Sequence, residues 1–142
     1  MRDDRPAPLP SGAAAGLAAT LAMSGLLVAA KALGALPKQP PVLLVKKVLP
    51  NLPEAVAQPL SWAAHLGYGA VGGALLPVLL RRVTPARGLA YGLAIYAASY
   101  EGWVPVAGVL PPAHADDRRR VATMLAAHVV YGAVLGRLLR RR

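Results

Sequence analysis

The sequence predicts an all-α fold, a polytopic four-helix membrane bundle built from two parallel two-helix hairpin repeats. Hydrophobic residues make up 56% of the 142 residues and charged residues only 15%, whereas an ordinary soluble domain carries about 25% charge. The apolar residues form long uncharged runs with arginine and lysine grouped between them, as in loops that flank membrane helices. A motif with histidine, tyrosine and glycine also occurs twice. We therefore expect a single membrane domain over residues 1–142.

The first repeat is predicted over about residues 11–80. A spanning helix needs about 20 mostly apolar residues, and the first such run extends over residues 12–36. We expect this helix to be retained rather than cleaved as a signal peptide, because its apolar stretch is long for that purpose. The second span is expected over residues 61–80 and ends at Arg81 and Arg82.

A long proline-rich loop, residues 37–60, is expected between these two spans. Within it, residues 42–49 read VLLVKKVL. This segment is either a short helix in the membrane interface, with its two lysines toward lipid head groups, or an irregular loop packed on the bundle. The segment is too short for hydrophobic periodicity to decide between these alternatives.

The second repeat is predicted over about residues 87–139. Its first span begins at Gly88 and extends to about Val104, where Pro105 interrupts the helix. The last span is expected over residues 120–139, with an arginine near its end that extends toward the interface.

Four spans place both termini and the loop between the repeats on one side of the membrane. That side carries nine arginines: Arg2, Arg5, Arg81, Arg82, Arg87, Arg137, Arg140, Arg141 and Arg142. The opposite side carries seven basic residues: Lys31, Lys38, Lys46, Lys47, Arg118, Arg119 and Arg120. Because positive residues favour the cytoplasmic side, we expect a multi-pass protein of the bacterial inner (cytoplasmic) membrane with cytoplasmic termini.

The duplicated motif is the most informative feature of the sequence. Residues 65–73 read HLGYGAVGG and residues 128–136 read HVVYGAVLG, which are identical at six of nine positions. The first and third spans match more weakly, through glycine and alanine at corresponding positions. Since each unit contains two spans, both copies keep the same orientation, and the repeats are parallel.

Each predicted span contains two glycines that are four residues apart. The pairs are Gly12 and Gly16, Gly69 and Gly73, Gly88 and Gly92, and Gly132 and Gly136. Residues at this spacing lie on one face of a helix, and glycines there allow two helix backbones to approach closely within a bilayer. We expect these glycines to pack the helices together.

The histidines and tyrosines of the duplicated motif are the leading candidates for a functional role. His65 and His128 occupy equivalent positions, and each is followed three residues later by a tyrosine, Tyr68 or Tyr131. Ionisable side chains within membrane spans are rare. Three alternatives stay open: the imidazoles only form hydrogen bonds across the bundle, they handle protons or small solutes, or they ligate the iron of a b-type haem.

Glu101 is a further candidate polar group, near the end of the third span and beside aromatic residues. It is expected either to pair with a loop lysine or arginine at the interface or to line a cavity beside the histidines. In the loop that follows, Asp116 and Asp117 are able to cap the last helix. His114 and these aspartates form only a weak metal-site pattern, because nothing fixes their geometry.

No catalytic signature is evident in the sequence. It contains no Gly-x-Ser-x-Gly, Walker or His-Glu-x-x-His motif, and it has no cysteine. We therefore predict a non-enzymatic structural or accessory role, with no cofactor apart from the haem alternative. The bilayer is the expected partner, together with a homo-oligomer or a larger membrane complex. The net charge of +10 does not indicate nucleic-acid binding, because the basic groups lie between apolar runs.

Several short motifs resemble those of the YagU-like group of small bacterial inner-membrane proteins, a family of unknown function. They are Gly12-x-x-x-Gly16, Pro40-Pro41, His65-x-x-Tyr68-Gly69, Gly102 with Pro105, and His128-x-x-Tyr131-Gly132. The resemblance extends over most of the chain. It implies a four-helix membrane architecture and supplies no reaction.

Overall fold

A computed structural model of the protein describes residues 8–36 and 40–140. These residues form helices and connecting turns without a strand, which confirms the predicted all-α class. The elements in chain order are α1 (Leu9–Ala32), α2 (Pro40–Val48), α3 (Glu54–Leu79), α4 (Pro85–Tyr96), a π-helical segment (Ala97–Trp103), α5 (Val104–Val106), a 3₁₀ turn (Ala113–Ala115) and α6 (Arg118–Leu138). Five residues that enter the predicted orientation lie outside the described ranges: Arg2, Arg5, Lys38, Arg141 and Arg142.

Three helices, α1, α3 and α6, are long and apolar enough to cross a membrane. Their outer surfaces carry large exposed apolar side chains, among them Leu21 at 59%, Val71 at 60% and Leu138 at 55% exposure. Large apolar side chains exposed along three long helices are unfavourable in water and match the hydrocarbon of a bilayer. Three of the four predicted spans therefore correspond to helices suited to a membrane.

The third predicted span differs from its expectation at both ends. α4 begins at Pro85, since the fixed φ of proline suits the first helical position, and the Thr84 hydroxyl accepts a hydrogen bond from the Arg87 N–H at 3.2 Å. Pro105 does not end the helix at Val104 as predicted. It lies in the first turn of α5, where a missing N–H is tolerated. Because this path is divided among α4, the π-helical segment and α5, the third predicted span stays a prediction.

The prediction of a loop over residues 37–60 is wrong in its extent. α2 occupies much of that range, and α3 begins at Glu54, so Pro59 lies inside α3 instead of before it. A carboxylate is favourable at the positive end of a helix, and α3 continues through Pro59 although proline cannot donate a backbone hydrogen bond there. The segment 42–49 is helical as far as Val48 and packs against α3, which excludes the irregular-loop alternative.

The long helices pack in pairs, α1 against α3 and α4 against α6. A methyl group built on Gly73 would lie 2.5 Å from the Cα atom of Gly16, and one built on Gly132 would lie 2.5 Å from the carbonyl oxygen of Gly88. These separations are shorter than any van der Waals contact, so only glycine allows the backbones this close. α1 also packs against α6, which joins the two pairs.

The helices α3 and α4 do not form a comparable contact within the described part of the chain. Two tyrosines bridge them instead. The Tyr91 hydroxyl donates to the carbonyl oxygen of Gly72 at 2.8 Å, and the hydroxyls of Tyr68 and Ser99 lie 3.3 Å apart. We refer to this separation of α3 from α4 and the π-helical segment as the α3–α4 gap.

Candidate functional site

A cavity of about 300 Å³ lies beside the α3–α4 gap, between the ends of the long helices that are remote from the chain termini. Residues of α2 cover one side of it. Most of the wall is apolar. The polar side chains that line it are Thr20, His65, Tyr68, Ser99, His128 and Tyr131. The four polar residues of the duplicated motif therefore reach one space, although they belong to two separate helices.

The π-helical segment supplies two further residues of the wall, Ser99 and Trp103. This segment joins two helical stretches across a kink. At Gly102 the backbone departs from helical geometry, with φ −103° and ψ −107°. Ser99 lines the cavity, whereas the neighbouring Tyr100 is buried and donates a hydrogen bond to Asp116.

His128 is held in a defined orientation on α6. Its side chain is buried, with 8% exposure, and its Nδ1 atom lies 2.8 Å from the Met124 carbonyl oxygen. A carbonyl oxygen only accepts hydrogen bonds, so Nδ1 carries the proton of this bond. The imidazole ring also meets the edge of Tyr96, with ring centroids 5.5 Å apart. The other ring nitrogen, Nε2, is left for contacts in the cavity.

His65 lines the same cavity from α3 and is half-buried. Within residues 8–36 and 40–140, no group forms a hydrogen bond to the His65 ring. An imidazole beside a cavity without a hydrogen-bond partner is available to a ligand.

The two tyrosines of the duplicated motif have different partners. Tyr131 is buried, and its hydroxyl donates to the Gly69 carbonyl oxygen at 2.8 Å, which fastens α6 to α3. Tyr68 is 50% exposed. Its hydroxyl faces that of Ser99, and its ring lies 6.3 Å from the ring of Trp103. Although the two tyrosines are equivalent in the repeat, Tyr131 joins α6 to α3, whereas Tyr68 borders the α3–α4 gap.

Glu101 does not line the cavity. One oxygen of its carboxylate accepts a hydrogen bond from the His114 N–H at 3.2 Å, and the other lies 3.1 Å from the Nδ1 atom of the same histidine. The partner of Glu101 is therefore a loop histidine instead of the lysine or arginine that we expected. The structure does not bring Glu101 to His65 and His128.

The two aspartates before α6 have separate roles. Asp117 caps the helix, accepting hydrogen bonds from the N–H groups of Arg119 and Arg120 at 3.0 and 3.1 Å. Asp116 instead accepts from the Tyr100 hydroxyl at 2.5 Å and from the Arg120 guanidinium at 2.8 Å. Burial by itself raises the pKa of Asp116, but these hydrogen bonds, the Asp117 N–H and the Arg120 charge outweigh burial and hold the pKa below its ordinary value.

Some residues of the site were not predicted from the sequence. Met23, Met124, Ser99 and Trp103 all line the cavity. Met124 had a usable signal, since it precedes His128 by four residues and shares its helix face. Ser99 had none, because its direction depends on the π-helical turn. In the described part of the chain, no three histidine, cysteine, aspartate or glutamate side chains come together as a metal site.

These features are those of a helical membrane protein with a cavity between its helices. The chain belongs to a family of unknown function, DUF6789, whose model matches residues 7–142. No curated protein and no solved structure matches the chain. The family match gives no specific link to the YagU-like group and no activity, so the function has to be inferred from the cavity.

Proposed function

We propose that the protein is a non-enzymatic four-helix protein of the bacterial inner membrane, built from two parallel hairpin repeats, that holds a small amphipathic molecule between its helices. The single observation that carries this proposal is the cavity beside the α3–α4 gap, where His65 and His128 converge. A mostly apolar cavity with a few convergent polar groups is the usual form of a small-molecule site.

The repeat architecture is supported by the glycine contacts. Gly12 and Gly16 of α1 meet Gly69 and Gly73 of α3, and the second pair of helices uses the same arrangement. The second set is Gly88, Gly92, Gly132 and Gly136. The two hairpins contact each other through α1 and α6. They would form a closed bundle if α3 packed on α4 as closely as α1 packs on α6. The α3–α4 gap is the departure from that symmetry, and the cavity lies beside it.

The size of the cavity bears on the ligand. Its volume of about 300 Å³ lies at the lower end of the range for small-molecule sites, about 300–1,000 Å³. This favours a compact ring or short chain over a haem macrocycle. Proton transfer through His65, His128 and Glu101 together is not favoured either, because Glu101 is engaged by His114.

Two adjacent alanines offer a matched test of this function. Ala64 lines the cavity, whereas Ala63, also exposed, does not. Ala64→Phe should fill the cavity, so we expect it to remove a small molecule that co-purifies with the wild type and with Ala63→Phe. Native mass spectrometry and solvent extraction of the three proteins measure this. No bound molecule in the wild type, or equal amounts in all three, would contradict the proposal. A Soret band would identify haem instead.

The proposed orientation is testable because the chain has no cysteine. Ala86 and Ala115 are both exposed and lie at opposite ends of the helices. In intact bacterial spheroplasts, a membrane-impermeant maleimide should label Ala115→Cys directly and Ala86→Cys only after permeabilisation. The cysteine-free wild type is the control for background labelling. The reverse pattern would show that the termini are not cytoplasmic.

A further inference from the structure

The hydrogen-bonding groups of the cavity restrict the chemistry of its ligand. Nδ1 of His128 donates to the Met124 carbonyl oxygen at 2.8 Å. No carboxylate lines the cavity among the described residues, and a charged imidazole without an anionic partner is unfavourable within a membrane. The ring is therefore neutral, and its second nitrogen, Nε2, carries a lone pair. His128 offers the cavity a hydrogen-bond acceptor and no donor.

The remaining hydroxyl groups are unequally available. Tyr131 is engaged with the Gly69 carbonyl oxygen, and Thr20 donates to the Gly16 carbonyl oxygen at 2.8 Å. Tyr68 and Ser99 face only each other, at 3.3 Å. Since one hydroxyl of such a pair donates to the other, the pair retains one free donor. The site thus presents an acceptor at His128, a donor at the α3–α4 gap and, at His65, an imidazole that offers one acceptor and, through its N–H, one donor.

The wall beside these groups is aromatic. Tyr68 and Trp103 lie with ring centroids 6.3 Å apart at a tilt of 57°, and both border the cavity. Aromatic side chains pack favourably against a flat ring in offset or edge-to-face geometry. A cavity of about 300 Å³ accommodates a ring, while an attached chain would extend through the α3–α4 gap toward lipid.

From these observations we propose that the ligand is a phenol with an apolar tail, whose hydroxyl donates a hydrogen bond to Nε2 of His128. This inference rests on the proposed function. The same hydroxyl oxygen is able to accept from the Tyr68–Ser99 pair. An alkyl or prenyl hydroquinone fits this description. The corresponding quinone has two acceptor oxygens and no donor, so it leaves the His128 lone pair without a partner.

A matched set of ligands tests the role of the hydroxyl. The probes are 4-decylphenol, its methyl ether 4-decylanisole, and decylbenzene, each titrated into the full-length protein in lipid nanodiscs. The chain has two tryptophans, so Trp62→Phe leaves Trp103 of the cavity wall as the fluorescent reporter. We expect the phenol to bind roughly 10- to 100-fold more tightly than the other two probes, since an unpaired buried acceptor is unfavourable.

Substitutions of two histidines show which residue causes the preference for the phenol over its methyl ether. His128→Leu should abolish the difference between phenol and anisole, whereas His114→Leu, outside the cavity, should preserve it. If His128→Leu does not fold, ¹⁵N NMR of the histidine-labelled wild type gives the answer. The Nε2 signal of His128 should move on addition of 4-decylphenol and stay fixed with 4-decylanisole.

The outcomes separate this inference from the proposed function. Equal affinity for all three probes, with loss of binding in Ala64→Phe, would overturn the phenol and leave the ligand site in place. A phenol preference that persists in His128→Leu would overturn the assignment of the acceptor. Saturable binding by none of the probes, together with no co-purifying molecule, would overturn both proposals.

Discussion

Gly73→Ala is expected to destabilise the protein by about 1–3 kcal/mol, the usual effect of adding a methyl group to a closely packed contact. The three atoms nearest to a methyl group at this position are backbone atoms of α1, including the Cα of Gly16 at 2.5 Å and its nitrogen at 2.6 Å. Backbone cannot move aside as a flexible side chain can, so α1 and α3 have to separate. Unfolding in detergent, followed by circular dichroism, measures the change.

Gly67→Ala is the control for this substitution. Gly67 belongs to the same helix, but a methyl group built there meets nothing within 4 Å. Alanine favours a helix over glycine by up to about 1 kcal/mol, so this variant should be as stable as the wild type or more stable. Gly132→Ala, in the second helix pair, should behave like Gly73→Ala. If all three substitutions had equal effects, close backbone packing at the paired glycines would not be the source of stability.

Asp116→Asn is expected to reduce stability by about 1–3 kcal/mol, because it removes the charged partner of a partly buried ion pair and leaves the other charge. The carboxylate of Asp116 is only 4% exposed and joins Tyr100 of the π-helical segment to Arg120 of α6. Nε of Arg120 already has no hydrogen-bond partner among the described residues, so the guanidinium depends heavily on this carboxylate. Thermal unfolding of the variant at neutral pH measures the loss.

The same carboxylate gives stability a defined pH dependence. Because the pKa of Asp116 is lower in the folded than in the unfolded protein, its contribution is fully present above about pH 4. It is lost as the pH falls through the folded pKa. The stability of the wild type should therefore decline below about pH 4, and that of Asp116→Asn should decline less.

Asp117→Asn is the matched control for Asp116. Asparagine is as good an N-cap as aspartate, and among the described residues the Asp117 carboxylate accepts hydrogen bonds only from the N–H groups at the start of α6. Its substitution should change stability by only a few tenths of a kcal/mol. A loss as large as that of Asp116→Asn would mean that charge at the helix end, and not the bridge to Tyr100, is what matters.

Much of the helical framework is predictable from the sequence, because uncharged runs and paired glycines both reflect one requirement, close helix packing in a lipid environment. The limits of α1 and α6 differ from expectation by only a few residues. The sequence predicts the start of α3 too late, because proline favours a helix boundary, yet Pro59 lies inside α3, past its first turn. The helix at α2 was one of two alternatives, because its periodicity was too short to decide.

The site was less predictable than the framework. Both histidines were identified as candidates because ionisable residues are rare within membrane spans. The two histidines share one cavity because α3 and α4 do not pack closely. No pattern of residues in the sequence indicates that these two helices lack a close contact. The partner of Glu101 was also not predictable from the sequence. His114 lies beside Glu101 only because of how the chain folds between the π-helical segment and the 3₁₀ turn. Tyr68 and Tyr131, alike in sequence, differ because the bundle around them is asymmetric.

The α3–α4 gap has a consequence for how any occupant is supplied. A molecule that enters between two helices from the side arrives by diffusion in two dimensions, and its supply depends on its mole fraction in the lipid and not on its concentration in water. Added lipid dilutes such a molecule as effectively as added solvent dilutes a soluble one. Occupancy of the cavity would then follow the composition of the membrane around it.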